Sequence, residues 1–151
     1  MESLSSIIIT VISGVLVYII GQILKEIWLT PLQEYKELKS KISFSLSYYA
    51  QYYSNVVDLA TCGEETKKIY KNASDEMRKI SCELDGFIET LSWFKPCIPQ
   101  KKKLYEASRE IMGISNSFFC PYNTNKTGIV INHNIKARDS IYKLLKIYAL
   151  K

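Results

Sequence analysis

Lys101, Lys102 and Lys103 stand in a row, with Arg109 one to two helical turns further on and Asn116 beyond it. Three ammonium groups at a helix start add to an already positive dipole end, an arrangement that calls for an anion or an acidic partner nearby. Phospholipid headgroups or an anionic nucleotide would both serve, a cyclic oligonucleotide among them; the plainer reading is a solvated basic turn. A second cluster, Tyr48, Tyr49, Tyr52 and Tyr53, has rings that could stack on bases. Its positions alternate around two helix faces, however, which suits bundle core together with oligomer or membrane contacts better. His133 is the single histidine and lies between two asparagines, a poor start for Ser-His-Asp chemistry. Cys62, Cys82, Cys97 and Cys120 form no C-x-x-C pair, so a zinc site is not expected and free, packed thiols are. Gly63, Gly86, Gly113 and Gly128 are isolated, so no glycine-rich phosphate loop exists. The carboxylates sit beside lysines at surface spacing, as in Glu34 with Lys41 nearby, Asp75 with Lys79, and Glu106 and Glu110 beside Arg109. The expectation is a non-enzymatic protein without metal or cofactor.

The residues that must position everything else are Ile7 to Leu24, eighteen in succession without a formal charge. At ~1.5 Å per residue the run covers about 27 Å, close to a ~30 Å hydrocarbon core, and Ile27, Trp28 and Leu29 can extend it. A helix apolar on every side is hard to enclose in so small a chain, so the reading is a spanning anchor over residues 1–29. The six residues before the run hold Glu2 and no lysine or arginine, unlike a cleaved secretory signal. Lys25, Lys36, Lys39 and Lys41 follow the run, so the positive-inside rule places the amino terminus outside and residues 30–151 in the cytoplasm, at the inner (plasma) membrane. Of 15 acidic residues only Glu2 precedes the run, leaving 14 against 20 basic ones and a formal +6. That excess fits an anionic leaflet or ligand and is too dispersed for DNA binding.

The remainder reads as an all-α bundle of about four helices. Thr30-Pro31-Leu32-Gln33 has the form of a helix start with Thr30 as cap, and leaves open a fresh helix or a kink in one rod. From there Leu32, Tyr35, Leu38, Ile42, Leu46, Tyr49, Tyr53 and Val56 keep helical spacing to about Ala60–Gly63. Ile69, Ala73, Met77, Ile80, Leu84, Phe87, Leu91 and Phe94 form a sustained stripe that belongs to a bundle or an oligomeric coiled coil. Pro96 and Pro99 end that helix. The next runs from Pro99 or Gln100 to Phe119, with Leu104, Ala107, Ile111, Ile114 and Phe118 inward. A row of small residues accompanies it, in which Gly113 reads as a helix contact. Cys120 to Gly128 reads as loop and Ile129-Val130-Ile131 as an extended piece. The last helix then spans about His133 to Leu150, with Ile135, Ile141, Leu144, Leu145 and Tyr148 inward.

Within the span, Thr10 and Gly14 make a small-xxx-small pair, Gly14 and Gly21 lie one heptad apart, and Gln22 could hydrogen-bond across an oligomer or simply reach the interface. The segment Leu104-Tyr105-Glu106-Ala107-Ser108-Arg109-Glu110-Ile111-Met112-Gly113-Ile114-Ser115-Asn116-Ser117, with the span and the Pro-Leu-Gln-Glu joint, resembles a widespread family of uncharacterised small bacterial proteins. Its members have one amino-terminal span and a cytoplasmic helical domain. The resemblance covers most of the chain and implies the architecture and no activity; it would make Arg109, Gly113, Ser115 and Asn116 a shared polar contact. The expected function is a membrane effector or sensor whose bundle self-associates and couples an input to the spans, with membrane perturbation or a pore in antiviral defence as one setting. The alternative is a passive adaptor tethering a protein partner through its basic face.

Overall fold

The computed structural model describes residues 2–56, 62–91, 97–118 and 124–147, with the side chains of 2, 3 and 124–126 left aside. Phe94 of the stripe, Pro96, Cys120 and the segment to Asn123, Phe119, Ala60 and Tyr148 to Leu150 lie outside the described residues. The described chain is all-α, without a strand. Helix α1 covers Glu2–Leu24, a π-helical turn Lys25–Leu29, and α2 Thr30–Tyr48; a short α3, Ala50–Ser54, follows. Then come α4, Glu64–Thr90, α5, Lys101–Ser117, and α6, Thr124–Leu144.

Residues 4–48 form one unbroken helix, and its apolar part is long enough to cross a membrane by length and composition. None of that apolar window is buried. Pro31 therefore starts no new helix. Thr30 is already helical, with φ −58° and ψ −53°, and its N–H bonds the carbonyl of Lys25 five residues back. The Thr30 hydroxyl donates to the same carbonyl at 3.3 Å. Proline offers no N–H and its ring crowds the carbonyl four residues before it, and the widened turn relieves that crowding without breaking the rod.

Packing begins at Tyr35. The Tyr35 ring stacks on Phe87 at 6.1 Å, and Lys41 pairs with Glu83 of α4 at 2.5 Å, not with Glu34. Helix α2 thus leads away from α1, α4 returns toward it, α5 leads away and α6 returns. The fully buried side chains include Ile42, Leu46, Met77, Leu84, Ile88, Leu104, Ile111, Ile114, Phe118, Ile141 and Leu145, drawn from α2, α4, α5 and α6 and the residues that close them.

Helices α4 and α5 are joined by two reciprocal serine pairs. Ser74 Oγ donates to the Ser115 carbonyl at 3.0 Å, and Ser115 Oγ donates to that of Ser74 at 2.9 Å. One heptad along, Ser81 Oγ donates to Ser108 O at 2.8 Å and Ser108 Oγ to Ser81 O at 3.2 Å. All four are buried. Each hydroxyl satisfies itself on the opposite backbone, so two buried polar groups per pair are matched while small side chains let the helices approach closely.

Several local expectations need correction. Ile69 is 44% exposed, and Tyr70, at 6%, takes its place in the core. The ring of Tyr70 is large enough to bury apolar area while its hydroxyl reaches the Asn55 carbonyl at 2.7 Å. Ile129, Val130 and Ile131 are helical, not extended, because α6 opens at Thr124, nine residues before His133. A Cβ on Gly113 would meet nothing within 4 Å, so Gly113 is not a contact point; the close approach is made by the serines. The long tyrosine helix breaks at Tyr49, with φ −90° and ψ 9°, well before Ala60.

Candidate functional site

At the mouth of α5 the backbone is closed by Gln100, whose carbonyl accepts the N–H of Lys103 at 2.9 Å and of Leu104 at 3.2 Å. Leu104 is fully buried and anchors this turn, while Lys101, Lys102 and Lys103 all point to solvent. Next to them the Tyr105 hydroxyl donates to the Glu89 carboxylate. That bond, with the nearby Asp85 charge, raises the Tyr105 pKa above its usual value. Arg109 is exposed and lines a shallow cleft of about 270 Å³ with Asp85, Tyr105, Ser108 and Met112. Asn116 belongs elsewhere. It sits fifteen residues beyond Lys101, about 22 Å along the helix, and its Oδ1 accepts from Arg78 at 3.1 Å. The set Lys101–Arg109–Asn116 is therefore not gathered into one pocket.

A larger open groove, about 540 Å³, runs beside α2 and is lined by Lys36, Lys39, Ser40, Ser43, Phe44 and Ile147. Its floor is the junction of α2 with the end of α6. Tyr35 donates its hydroxyl to the Leu145 carbonyl at 2.9 Å, and Lys39 Nζ donates to the Lys146 carbonyl at 2.6 Å. Burial pushes the Tyr35 phenol up to about 12. Helix α6 ends in a Schellman motif, with Ile147 N–H on Tyr142 O at 2.8 Å and Lys146 N–H on Lys143 O at 3.3 Å. Lys146 holds the left-handed position at φ 53°, where glycine is usual.

The tyrosine cluster divides between core and surface. Tyr53 is fully buried and donates to the Leu46 carbonyl at 2.7 Å, tying down an end of α2 beside its break. Burial raises the pKa of both Tyr53 and Tyr70. Tyr48 is 61% exposed and stacks on Phe44, itself 65% exposed, with ring centroids 5.5 Å apart.

In α1, the Thr10 hydroxyl bonds the Ser6 carbonyl at 2.9 Å, and a Cβ added at Gly14 or Gly21 would meet nothing. Gln22 is exposed. Along α4, Met77, Ile80, Leu84, Phe87 and Leu91 are buried inside the bundle, so this stripe is used within one chain. Cys62, Cys82 and Cys97 are free thiols but not packed ones, since Cys82 and Cys97 are exposed and Cys62 is half-buried; His133 is exposed, and no group of three His, Cys, Asp or Glu among the described residues could hold a metal ion.

No family model matches the chain, and neither a curated protein nor a solved structure matches it.

One residue escaped the sequence reading. Asn134 is fully buried between α3, α5 and α6, and its Nδ2 donates to the Tyr53 carbonyl at 3.0 Å and to Ser117 Oγ at 2.8 Å. Its Oδ1 has no partner. The available signal was its spacing: Asn134, Ala137, Ile141 and Leu145 recur at three and four residues, and an asparagine on an inward face needs polar neighbours.

Proposed function

We propose that this chain is a non-enzymatic membrane protein in which α1 crosses the inner membrane and carries a cytoplasmic four-helix bundle on the same rod, as an effector or sensor. One observation supports this most. The helix of residues 4–48 is fully exposed over its apolar stretch and enters the core only from Tyr35 onward. Soluble monomers rarely expose apolar patches beyond a few hundred Å². The exposed side of α1 includes Leu4, Ile7, Ile8, Ile9, Val11 and Ile12 on its first turns alone, and lipid is the environment that covers a helix on all sides. The lysine distribution favours an external amino terminus.

The transmitting element in this reading is the rod. No flexible linker separates span from bundle, and Tyr35, Lys39 and Lys41 fasten α2 to α6 and α4. Self-association then falls to the span, through Gly14 and Gly21, because the α4 stripe is consumed internally. An effector that perturbs the bilayer, in antiviral defence or another setting, would act by regrouping such spans. The adaptor reading draws its support from the exposed basic residues and from Phe44 with Tyr48.

The test is extraction and protease access in cells. The full chain should resist alkaline carbonate extraction, and the bundle should be cleaved only after the inner membrane is opened. Release by carbonate, or cleavage in intact spheroplasts, overturns the reading.

A further inference from the structure

One end of the bundle gathers exposed lysines from three helices. Where α2 leaves the rod, α5 begins and α4 and α6 finish, as the contacts of Tyr35 with Phe87 and with Leu145 establish. Lys101, Lys102 and Lys103 are exposed at that end. So are Lys36, Lys143 and Lys146, with Lys39 beside them on the Lys146 carbonyl. Its acids are Glu34, Glu37, Glu83, Asp85, Glu89 and Glu106, of which Glu83 is held by Lys41 and Glu89 by Tyr105. At the opposite end Glu64, Glu65 and Glu76 offset Lys67, Lys68 and Lys71, with Lys67 on Glu64 at 2.8 Å. The side from which α1 departs thus presents exposed lysines of α2, α5 and the end of α6 together, with two of its six acids already paired.

Its distance from the apolar helix can be worked out. The Ser81–Ser108 and Ser74–Ser115 pairs set an antiparallel register that brings Lys101 opposite Ile88, next to the Phe87 that stacks on Tyr35. Lys101 is therefore level with about residue 34 of the rod, five residues past Leu29 and ten past Leu24. At ~1.5 Å per residue that is roughly 8–15 Å from the end of the apolar stretch. A headgroup layer is roughly 5–8 Å thick on each side of the hydrocarbon, and lysine stems bridge the remainder.

We propose that this end of the bundle docks on the anionic headgroup layer of the bilayer that holds α1, its lysines binding lipid phosphates. The inference rests on the reading of α1 as a span. Charge complementarity selects the occupant, and the rod keeps the basic end beside the leaflet at high effective concentration. Helix carboxyl ends ordinarily repel phosphate, and those of α4 and α6 both lie here; just past α6 the Leu145 and Lys146 carbonyls are already taken by Tyr35 and Lys39. The groove of Lys36, Lys39, Ser40 and Ser43 opens beside them as a place for one headgroup.

The full chain is reconstituted into nanodiscs of phosphatidylcholine alone or with phosphatidylglycerol, and each lysine is labelled with an amine-reactive reagent and read by peptide mass. Failure to enter either disc refutes the span and overturns the docking proposal with it. With insertion, Lys36 and Lys101–Lys103 should label about fivefold more slowly in anionic discs, the change matching the ~1 kcal/mol that a basic residue gains at an anionic surface. Lys68 and Lys71, at the far end, should label equally in both, and the protection should vanish in molar salt. Equal labelling of Lys101–Lys103 in inserted protein overturns the proposal. Protection in phosphatidylcholine discs on adding inorganic phosphate overturns it too, in favour of a soluble anion.

Discussion

Replacing Tyr35 with phenylalanine removes one oxygen and tests how the rod is fastened to the bundle. The ring is 5% exposed and keeps its stack on Phe87, so apolar packing is conserved. What goes is the 2.9 Å bond to the Leu145 carbonyl at the end of α6. A buried bond of this kind contributes about 1–1.5 kcal/mol, which for a domain of this size lowers the melting temperature by roughly 3–6 °C. The same phenol makes a second, opposite contribution at alkaline pH. Its pKa is raised by burial from 10.0 to about 12, so the unfolded chain loses this proton first as pH rises. The stabilisation is whole below pH 10 and is lost between pH 10 and 12, at about 1.4 kcal/mol per pH unit. Phenylalanine has no such loss. Tyr53 and Tyr70 remain in both proteins and cancel in the difference. The two stability curves should therefore converge above pH 10 and cross near about pH 11. Circular dichroism melts of the full chain in neutral detergent at pH 7 and in steps to pH 11.5 measure both effects. Equal melting at pH 7, or a gap that stays constant to pH 11.5, would refute the reasoning.

Lys146→Gly should stabilise the bundle by about 1 kcal/mol, since a left-handed residue with a side chain is strained and its carbonyl remains for Lys39; a lower melting temperature would contradict this. Ser81→Ala should cost no more than about 1 kcal/mol, because one hydrogen bond is lost and helix propensity is gained. Ser81→Leu should cost about 3 kcal/mol or more by forcing α4 and α5 apart, and urea titrations of the pair separate the two outcomes. Gly14→Leu with Gly21→Leu should leave bundle melting unchanged, as nothing in the chain meets a Cβ there. In detergent, the same pair should lower the mass of the assembled chain, and an unchanged mass would place the contact elsewhere, such as at Phe44 and Tyr48.

The parts legible in the sequence were those governed by hydropathy alone. An uncharged run announces α1, and Met77, Ile80, Leu84 and Phe87 announce the inner face of α4 by spacing. Polar residues doing structural work were not legible in that way. Ser108 and Ser115 read only as small residues beside α5, and Ser74 and Ser81 were not singled out, although both heptad spacings were on view; only the antiparallel pairing turns them into reciprocal bonds. Tyr70 lost to Ile69 on hydrophobicity and won in the fold because its hydroxyl had a carbonyl to reach. The β-branched Ile129–Ile131 run suggested extension by local preference, yet it is carried within α6, whose later turns put Ala137 and Ile141 in the core. Of the candidate site, the lysines were visible as charges, but their common end was not, since it depends on the directions of all four helices.

The wide turn at Lys25–Leu29 also sets the angular phase of the rod. One π turn inserts about one residue, so a line drawn along the helix surface advances by eight positions across it instead of seven. The glycine line of α1, Gly14 and Gly21, therefore continues to Leu29, then Lys36 and Ser43, and not to Trp28 and Tyr35. Lys36 and Ser43 line the open groove, whereas Tyr35 faces the core. The flank of α1 that carries the glycines and the flank that carries the groove are thus the same side of one shaft, and twisting the shaft would turn both together.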